Sequence, residues 1–419
     1  MAEIVIKGNK KLSGKITVQG AKNSVLPVLA GTLLCDGECV IHNCPHISDV
    51  DISFKILEFL GCDCKRQDKS VIVDASCVNA FSIPDSLMRE MRSSVMFLGA
   101  IIGRMGKAVI SSPGGCELGP RPIDLHLSAL QKMGVKITEE HGNLYCDAPN
   151  GLCGSEIHLN FPSVGATENI MLAAATAKGT TVIHNAAREP EISDLGDFLN
   201  SAGARICGCG SDTIYINGVR KLYSTCHTII PDRIVAATYL SCAALTGSKI
   251  TLDNIMPSHM VSILSLFRES GSNIAVSGKS LTITGPKILC RVPTIRSLVY
   301  PGFPTDAGPL IIAMLSKADG TCVFVENIFE NRFRYVDELN RLGTKIKVEG
   351  KIAIIEGVPS LSGASCKCTD LRGGAALVTA ALAADGETNI TEISHILRGY
   401  DDIVSNLQSV GADIKLIKE

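Results

Sequence analysis

A chain of 419 residues, 46% of them hydrophobic and 20% charged, is too long for one core and too apolar for disorder, so two or three domains are expected. A formal net charge of -2 supplies no global basic field, so no nucleic-acid partner or polybasic membrane contact is expected, and an anionic ligand has to be held by local charge. Seventeen cysteines, an odd number in a body that needs no disulfide staples, suit a reducing compartment, and the C-x-C pairs Cys62/Cys64, Cys207/Cys209 and Cys366/Cys368 lack the spacing of a zinc site, so no metal is expected.

The opening "MAEIVIKGNKK" reads as a strand and a polar turn. It has no leader-like apolar segment, and no run reaches the roughly 18 apolar residues of a spanning helix, so a cytoplasmic protein without membrane insertion is expected. In chain order, six amphipathic segments then end alike: "LEFLGCDCK", "LQKMGVKIT", "LNSAGARIC", "FRESGSNIA", "LNRLGTKIK" and "LQSVGADIK". Their shared glycines, Gly61, Gly134, Gly203, Gly271, Gly343 and Gly411, recur every 68 to 73 residues, the signature of a sixfold repeat. A second glycine precedes each by 23 to 28 residues, closing a helix and opening a strand. The helices ahead of it, such as "NSVLPVLAGTLL" and "AGPLIIAML", are small and apolar almost all round, as burial on every side requires. The later helices have a polar face and belong outside. The expected unit is strand, helix, strand, helix, strand, strand, giving an α/β (α+β) chain of six βαβαββ repeats in two three-repeat lobes with a ligand cleft between them.

Charge collects where the buried helices begin: "GAKN", "EMRSS", "PSVGATEN", "PDR", "FPTD" and "TDLR" place Lys22, Asn23, Arg92, Ser163, Asp232, Arg233, Asp306, Asp370 and Arg372 there. Asp and Ser serve ordinary capping at such positions, which suffices for Asp232 and Asp370 taken alone. Lys and Arg at the positive end of a helix dipole are unfavourable and call for a compensating anion, which a bound phosphate or carboxylate supplies. In the second repeat the loop "SPGGCELGPRPIDLH" makes the interval from Gly106 to Gly134 28 residues, against 23 to 25 elsewhere. It carries Cys116, with Arg121 near enough in sequence to favour a thiolate.

Taken together, "GAKNSVLP", "SPGGCELGPRPIDLH", "NAAREPEISDL", "PDR", "FPTD", "ENIFENRF", "TDLR" and "RGY" resemble the UDP-N-acetylglucosamine enolpyruvyl transferases over the whole chain. The related 3-phosphoshikimate enzymes typically begin "GSKS" and lack the loop cysteine. The resemblance implies a two-domain inside-out α/β barrel, residues 21–230 forming one domain and residues 1–20 with 231–419 the other. It implies transfer of the enolpyruvyl group of phosphoenolpyruvate to the 3'-hydroxyl of UDP-N-acetylglucosamine, with release of phosphate and no cofactor, opening peptidoglycan synthesis.

By the same resemblance, Lys22, Arg121 and Arg398 take the phosphate, while Arg92, Arg332 and Arg372 bind or organise the carboxylate. Cys116 is the implied acid, Asp306 the base on the 3'-hydroxyl, and Asp370 an aid to proton traffic. Arg121, Pro122, Ile123, Asp124 and Leu125 correspond to the uridine stretch, Ser163, Val164 and Gly165 to the diphosphate site, and Asn23 and Ile328 to sugar contacts. Gly308, Leu397 and Val235 depart from the usual family residues. A sister enzyme acting on another alcohol and a non-catalytic paralogue stay open at this point, whereas a cysteine hydrolase using Cys116 and His126 has no orienting third residue.

Overall fold

The computed structural model describes residues 2–111 and 123–417. These fall into two compact units, residues 2–19 with 231–417 and residues 20–111 with 123–230.

The apolar segments form helices α1 (Lys22–Thr32), α2 (Phe97–Met105), α3 (Val164–Ala174), α4 (Arg233–Leu245), α5 (Gly308–Leu315) and α6 (Leu371–Ala381). Every residue of α5 is buried, as is every residue of α1 except Asn23. Ala, Leu, Ile and Val on all faces leave such a helix no stable place but the centre. In one unit α4, α5 and α6 pack against one another; in the other α2 packs on both α1 and α3. The α2–α3 approach is close enough that a Cβ on Gly99 would lie 2.2 Å from the Asn169 carbonyl oxygen. The polar-faced helices, for example Ser48–Phe59 and Pro190–Ser201, lie outside these, with sheets that alternate buried and open residues. Each unit is thus built with helices innermost, the reverse of an ordinary α/β barrel. The six repeat glycines have φ between 87° and 105°, a left-handed helix stop that a side chain would strain.

The four-stranded sheets share one plan, a short strand parallel to its neighbour followed by two antiparallel ones. The parallel partner is exchanged at the chain crossings. Cys226–Thr228 lies beside Glu38–His42 (Val40 opposite Cys226), and Ser13–Thr17 lies beside Lys249–Asp253 (Ile16 opposite Leu252). Glu3–Lys7 sits between Glu387–Thr391 and Asp413–Ile417. The second repeat departs from the expected unit: its first strand shrinks to a single bridge between Ser82 and Val109. Pro84 follows, with no N–H to extend the ladder and a fixed φ that starts the helix Asp85–Glu90.

Candidate active site

In the unit of residues 20–230, α1 begins where Gly20 lies so close to residue 43 that a Cβ would sit 1.8 Å from the Asn43 carbonyl oxygen. The Ala21 N–H donates to the Ile230 carbonyl at 2.8 Å, fixing the helix start. Lys22 follows, its Nζ 2.7 Å from Asp49 Oδ2 in a pair whose side chains are 9% and 1% exposed. Ser24 Oγ donates to Asp194 Oδ2, and Asp194 Oδ1 lies 2.9 Å from His227 Nε2. Pro27 has no N–H for the Asn23 carbonyl four residues back, which leaves that carbonyl outside the helical ladder next to Lys22.

A second cluster ties two stretches singled out in the sequence. Asn169, on α3, donates to His126 Nδ1 at 2.8 Å and to the Val95 carbonyl at 3.1 Å, and its Oδ1 accepts from the Gly99 N–H at 2.7 Å. His126 stands in the first turn of the helix Asp124–Lys132, and a Cβ on Gly165 would meet its ring at 3.2 Å. The helix Asp124–Lys132 is thereby packed on α3 with His126 against Gly165. Ser163 caps α3, its Oγ accepting from the Ala166 N–H at 3.3 Å, and the first N–H groups of α3 form an anion-favouring end. Farther along α3, Glu168 is fully enclosed, and burial, with Glu191 and Glu189 nearby, drives its carboxyl pKa well above the ordinary value. Arg92 opens the 3-10 turn Arg92–Met96 that leads into α2. Cys116, Arg121 and Pro122 lie outside the described residues.

In the unit of residues 2–19 and 231–417, Asp306 occupies the short turn Thr305–Ala307 ahead of α5. Its two oxygens face two guanidinium groups: Arg332 Nη2 donates to Oδ1 at 3.1 Å, and Arg372 Nη2 lies 3.5 Å from Oδ2. The arginine side chains are 2% and 3% exposed while that of Asp306 is 28% exposed, so the carboxylate is the accessible member of the trio. Burial, the strongest single influence on Arg372, opposes its charge, but Tyr400, Asp306 and Asp232 outweigh it and hold the guanidinium pKa above its ordinary value. The Nε atoms of Arg332 and Arg372 and the hydroxyl of Tyr335 are buried with no hydrogen-bond partner among the described residues.

Asp370 caps α6, accepting from the Arg372 and Gly373 N–H groups at 3.0 Å each, and Asp232 caps α4, accepting from the Ile234 and Val235 N–H groups at 2.8 and 3.0 Å. Arg398 precedes Tyr400, whose hydroxyl bonds Arg372 at 3.4 Å and Thr238 at 2.8 Å, while Gln19 holds Gly399 and Asp401. The Ile328 N–H is committed to Glu326 at 2.7 Å, so a ligand at this residue would meet its carbonyl.

The expectation that the helix-start cations await a ligand anion needs correction for Lys22, Arg233 and Arg372, while the Arg92 side chain lies outside the described residues. Asp49 answers Lys22, Asp306 answers Arg372, and Arg233 lies over the Tyr300 ring, 5.4 Å from its centroid. A buried cation such as Lys22 or Arg372 is costly without a counter-charge, so the protein supplies an acid of its own, whereas the half-buried Arg233 has a π-face. Asp49, Asp194, His227, Asn169, Glu326 and Tyr400 are the residues that sequence reasoning missed. The charged helix starts could have prompted a search for acids on the neighbouring outer helices.

The model of the family described as EPSP synthase (3-phosphoshikimate 1-carboxyvinyltransferase) matches residues 6–407. A protein of Caldanaerobacter subterraneus named UDP-N-acetylglucosamine 1-carboxyvinyltransferase 2 is 51% identical over 414 residues, which is 99% of each chain. One of Symbiobacterium thermophilum named UDP-N-acetylglucosamine 1-carboxyvinyltransferase 1 is 48% identical over 99% of this chain and 95% of its own. Among solved structures, the enolpyruvyl transferase NikO from Streptomyces tendae aligns with a TM-score of 0.90 at 25% identity, covering 100% of this chain and 99% of its own. EPSP synthase from Acinetobacter baumannii aligns with a TM-score of 0.77 at 18% identity over 100% of both chains, a likeness of fold.

Proposed function

Because the chain belongs to the EPSP synthase family of enolpyruvyl transferases, we propose that it transfers the enolpyruvyl group of phosphoenolpyruvate to the 3'-hydroxyl of UDP-N-acetylglucosamine, releasing phosphate. The single structural observation that supports the chemistry best is the accessible Asp306 carboxylate held between two buried guanidinium groups. That arrangement aims an accessible carboxylate as a base, beside two guanidinium groups at which an anionic substrate is stabilised.

In the addition step Asp306 removes the 3'-hydroxyl proton, the sugar oxygen bonds to the central carbon of phosphoenolpyruvate, and Cys116 delivers a proton to the methylene carbon. The tetrahedral adduct then loses a proton from the new methyl group and expels phosphate, which restores the double bond. Lys22, Arg121 and Arg398 hold the departing phosphate; Arg92, Arg332 and Arg372 organise the carboxylate; Asp370 assists proton movement. Ile123 to Leu125 with Arg121 and Pro122 receive the uridine, Ser163 to Gly165 the diphosphate, and Asn23 and Ile328 the sugar. The product opens peptidoglycan synthesis. We place the reaction in the cytoplasm, a reading supported by sixteen free cysteines among the described residues and by the lack there of any helix long and apolar enough to cross a membrane.

The test is phosphate release from phosphoenolpyruvate with UDP-N-acetylglucosamine or shikimate 3-phosphate as acceptor. Release with the nucleotide sugar alone is expected. Release with shikimate 3-phosphate alone would assign a sister transferase, and binding of both substrates without turnover a non-catalytic paralogue.

A further inference from the structure

We infer that Glu326 is a positioning residue for the acceptor sugar, acting through two segments at once. It is completely buried, yet its carboxylate accepts four hydrogen bonds. Oε1 takes the Ser297 hydroxyl at 2.8 Å, the Ile328 N–H at 2.7 Å and the Phe329 N–H at 3.1 Å; Oε2 takes the Thr305 hydroxyl at 2.8 Å. One oxygen therefore shapes the loop that carries Ile328, and the other grips the residue before Asp306.

Two further bonds close the frame. Arg332 Nη2 donates both to the Thr305 carbonyl and to Asp306 Oδ1, at 3.1 Å each, so Thr305 is held by its side chain and its backbone. Ser297, which donates to Glu326, also accepts from the Asn327 N–H at 2.8 Å. A group facing four donors from three chain segments has to be acceptor-only with two oxygens, and of the side chains that fit, only a carboxylate is. An apolar residue at this strand end would leave two backbone N–H groups and two hydroxyls without an acceptor, and the loop and the turn would lose their common anchor. What the carboxylate adds is a fixed separation between the Ile328 carbonyl and the Asp306 carboxylate, two groups proposed above to meet the same sugar. The inference rests on those two assignments.

The test uses the full-length protein and steady-state kinetics with both substrates. Thr305→Val keeps the shape and severs only the link from Glu326 to the Asp306 segment; kcat is expected to fall about tenfold, with the KM of phosphoenolpyruvate within about twofold of wild type and Tm nearly unchanged. Thr305→Ser, which retains the hydroxyl, is expected to recover most of the loss. Glu326→Gln leaves a neutral oxygen for the two backbone N–H groups, and is expected to raise the KM of UDP-N-acetylglucosamine about threefold or more without moving that of phosphoenolpyruvate. Lowered Tm with wild-type kinetic constants, or an equal rise in both KM values, would overturn the inference by making Glu326 a structural residue only. Asp306→Asn, run beside them, separates this from the reading beneath it: full activity in that variant would remove the base assignment itself, whatever the Thr305 variants do.

Discussion

Lys22 and Asp49 form a buried ion pair, 2.7 Å between Nζ and Oδ2, at the first residue of the first buried helix. The lysine at the positive end of α1 is stabilised by an acid from the outer helix Ser48–Phe59, which packs against α1. Removing one member of such a pair leaves the other desolvated and undercompensated. Asp49→Asn is therefore expected to destabilise the protein by about 3 kcal/mol in urea melts. Added phosphate should restore part of that loss in the variant and stabilise wild type less, since Asp49 no longer competes with the anion for Lys22.

Glu168 makes stability depend on pH. Its folded pKa lies above the ordinary 4.5, so the folded chain keeps a proton that the unfolded chain gives up. The contribution is fully present below about pH 4.5 and is lost as pH rises through the folded value. Glu168→Gln mimics the protonated form, and its Tm should exceed that of wild type at pH about 8 while the two converge near pH about 4. Equal slopes of Tm against pH for both proteins would count against a neutral Glu168.

The buried His126–Asn169 bond ties the helix that follows residues 123–125 to α3, which opens at residues 163–165. His126→Phe keeps a ring against Gly165 and removes the acceptor for the Asn169 amide. The expected outcome is a rise of about tenfold in the KM of UDP-N-acetylglucosamine with the phosphoenolpyruvate KM unchanged, read from initial rates. A change confined to kcat would place His126 elsewhere in the reaction.

The repeat was legible because each of its marks is local. Gly61 and its five counterparts stop a helix wherever the chain folds, and the all-apolar faces of α1 and α5 demand burial in any topology. Partners that arrive from distant sequence were not legible. Asp49 looks like one more polar residue on an outer helix, Asp194 reaches Ser24 from the third repeat, and Glu326 reads as the polar end of the strand Thr321–Val325. The resemblance placed residues 1–20 with residues 231–419, but the partners of Ser13–Thr17 and Cys226–Thr228 were not legible, because a three- to five-residue strand carries no signal for its partner. For the site, sequence located the helix starts and their charges, while the carboxylates that compensate those charges emerged only in three dimensions.

If Cys116 is the acid of the reaction, it stands apart from the other sixteen cysteines by reactivity. Several of those are held as thiols by burial, Cys62 pushed up to about 12 and Cys146 to about 11. Incubation with the epoxide fosfomycin in the presence of UDP-N-acetylglucosamine is expected to abolish phosphate release and to place one label, on the peptide containing Cys116, by mass mapping. Label spread over several cysteines, or full activity in Cys116→Ala at neutral pH, would contradict the assignment.

The proposed transfer to the sugar 3'-oxygen is tested most directly by identifying the product. After incubation with phosphoenolpyruvate and UDP-N-acetylglucosamine, NMR of the purified nucleotide should show a vinyl ether on the 3'-oxygen, with one phosphate released per molecule formed. An unmodified nucleotide sugar, or an enolpyruvyl group found only on a different alcohol, would contradict it.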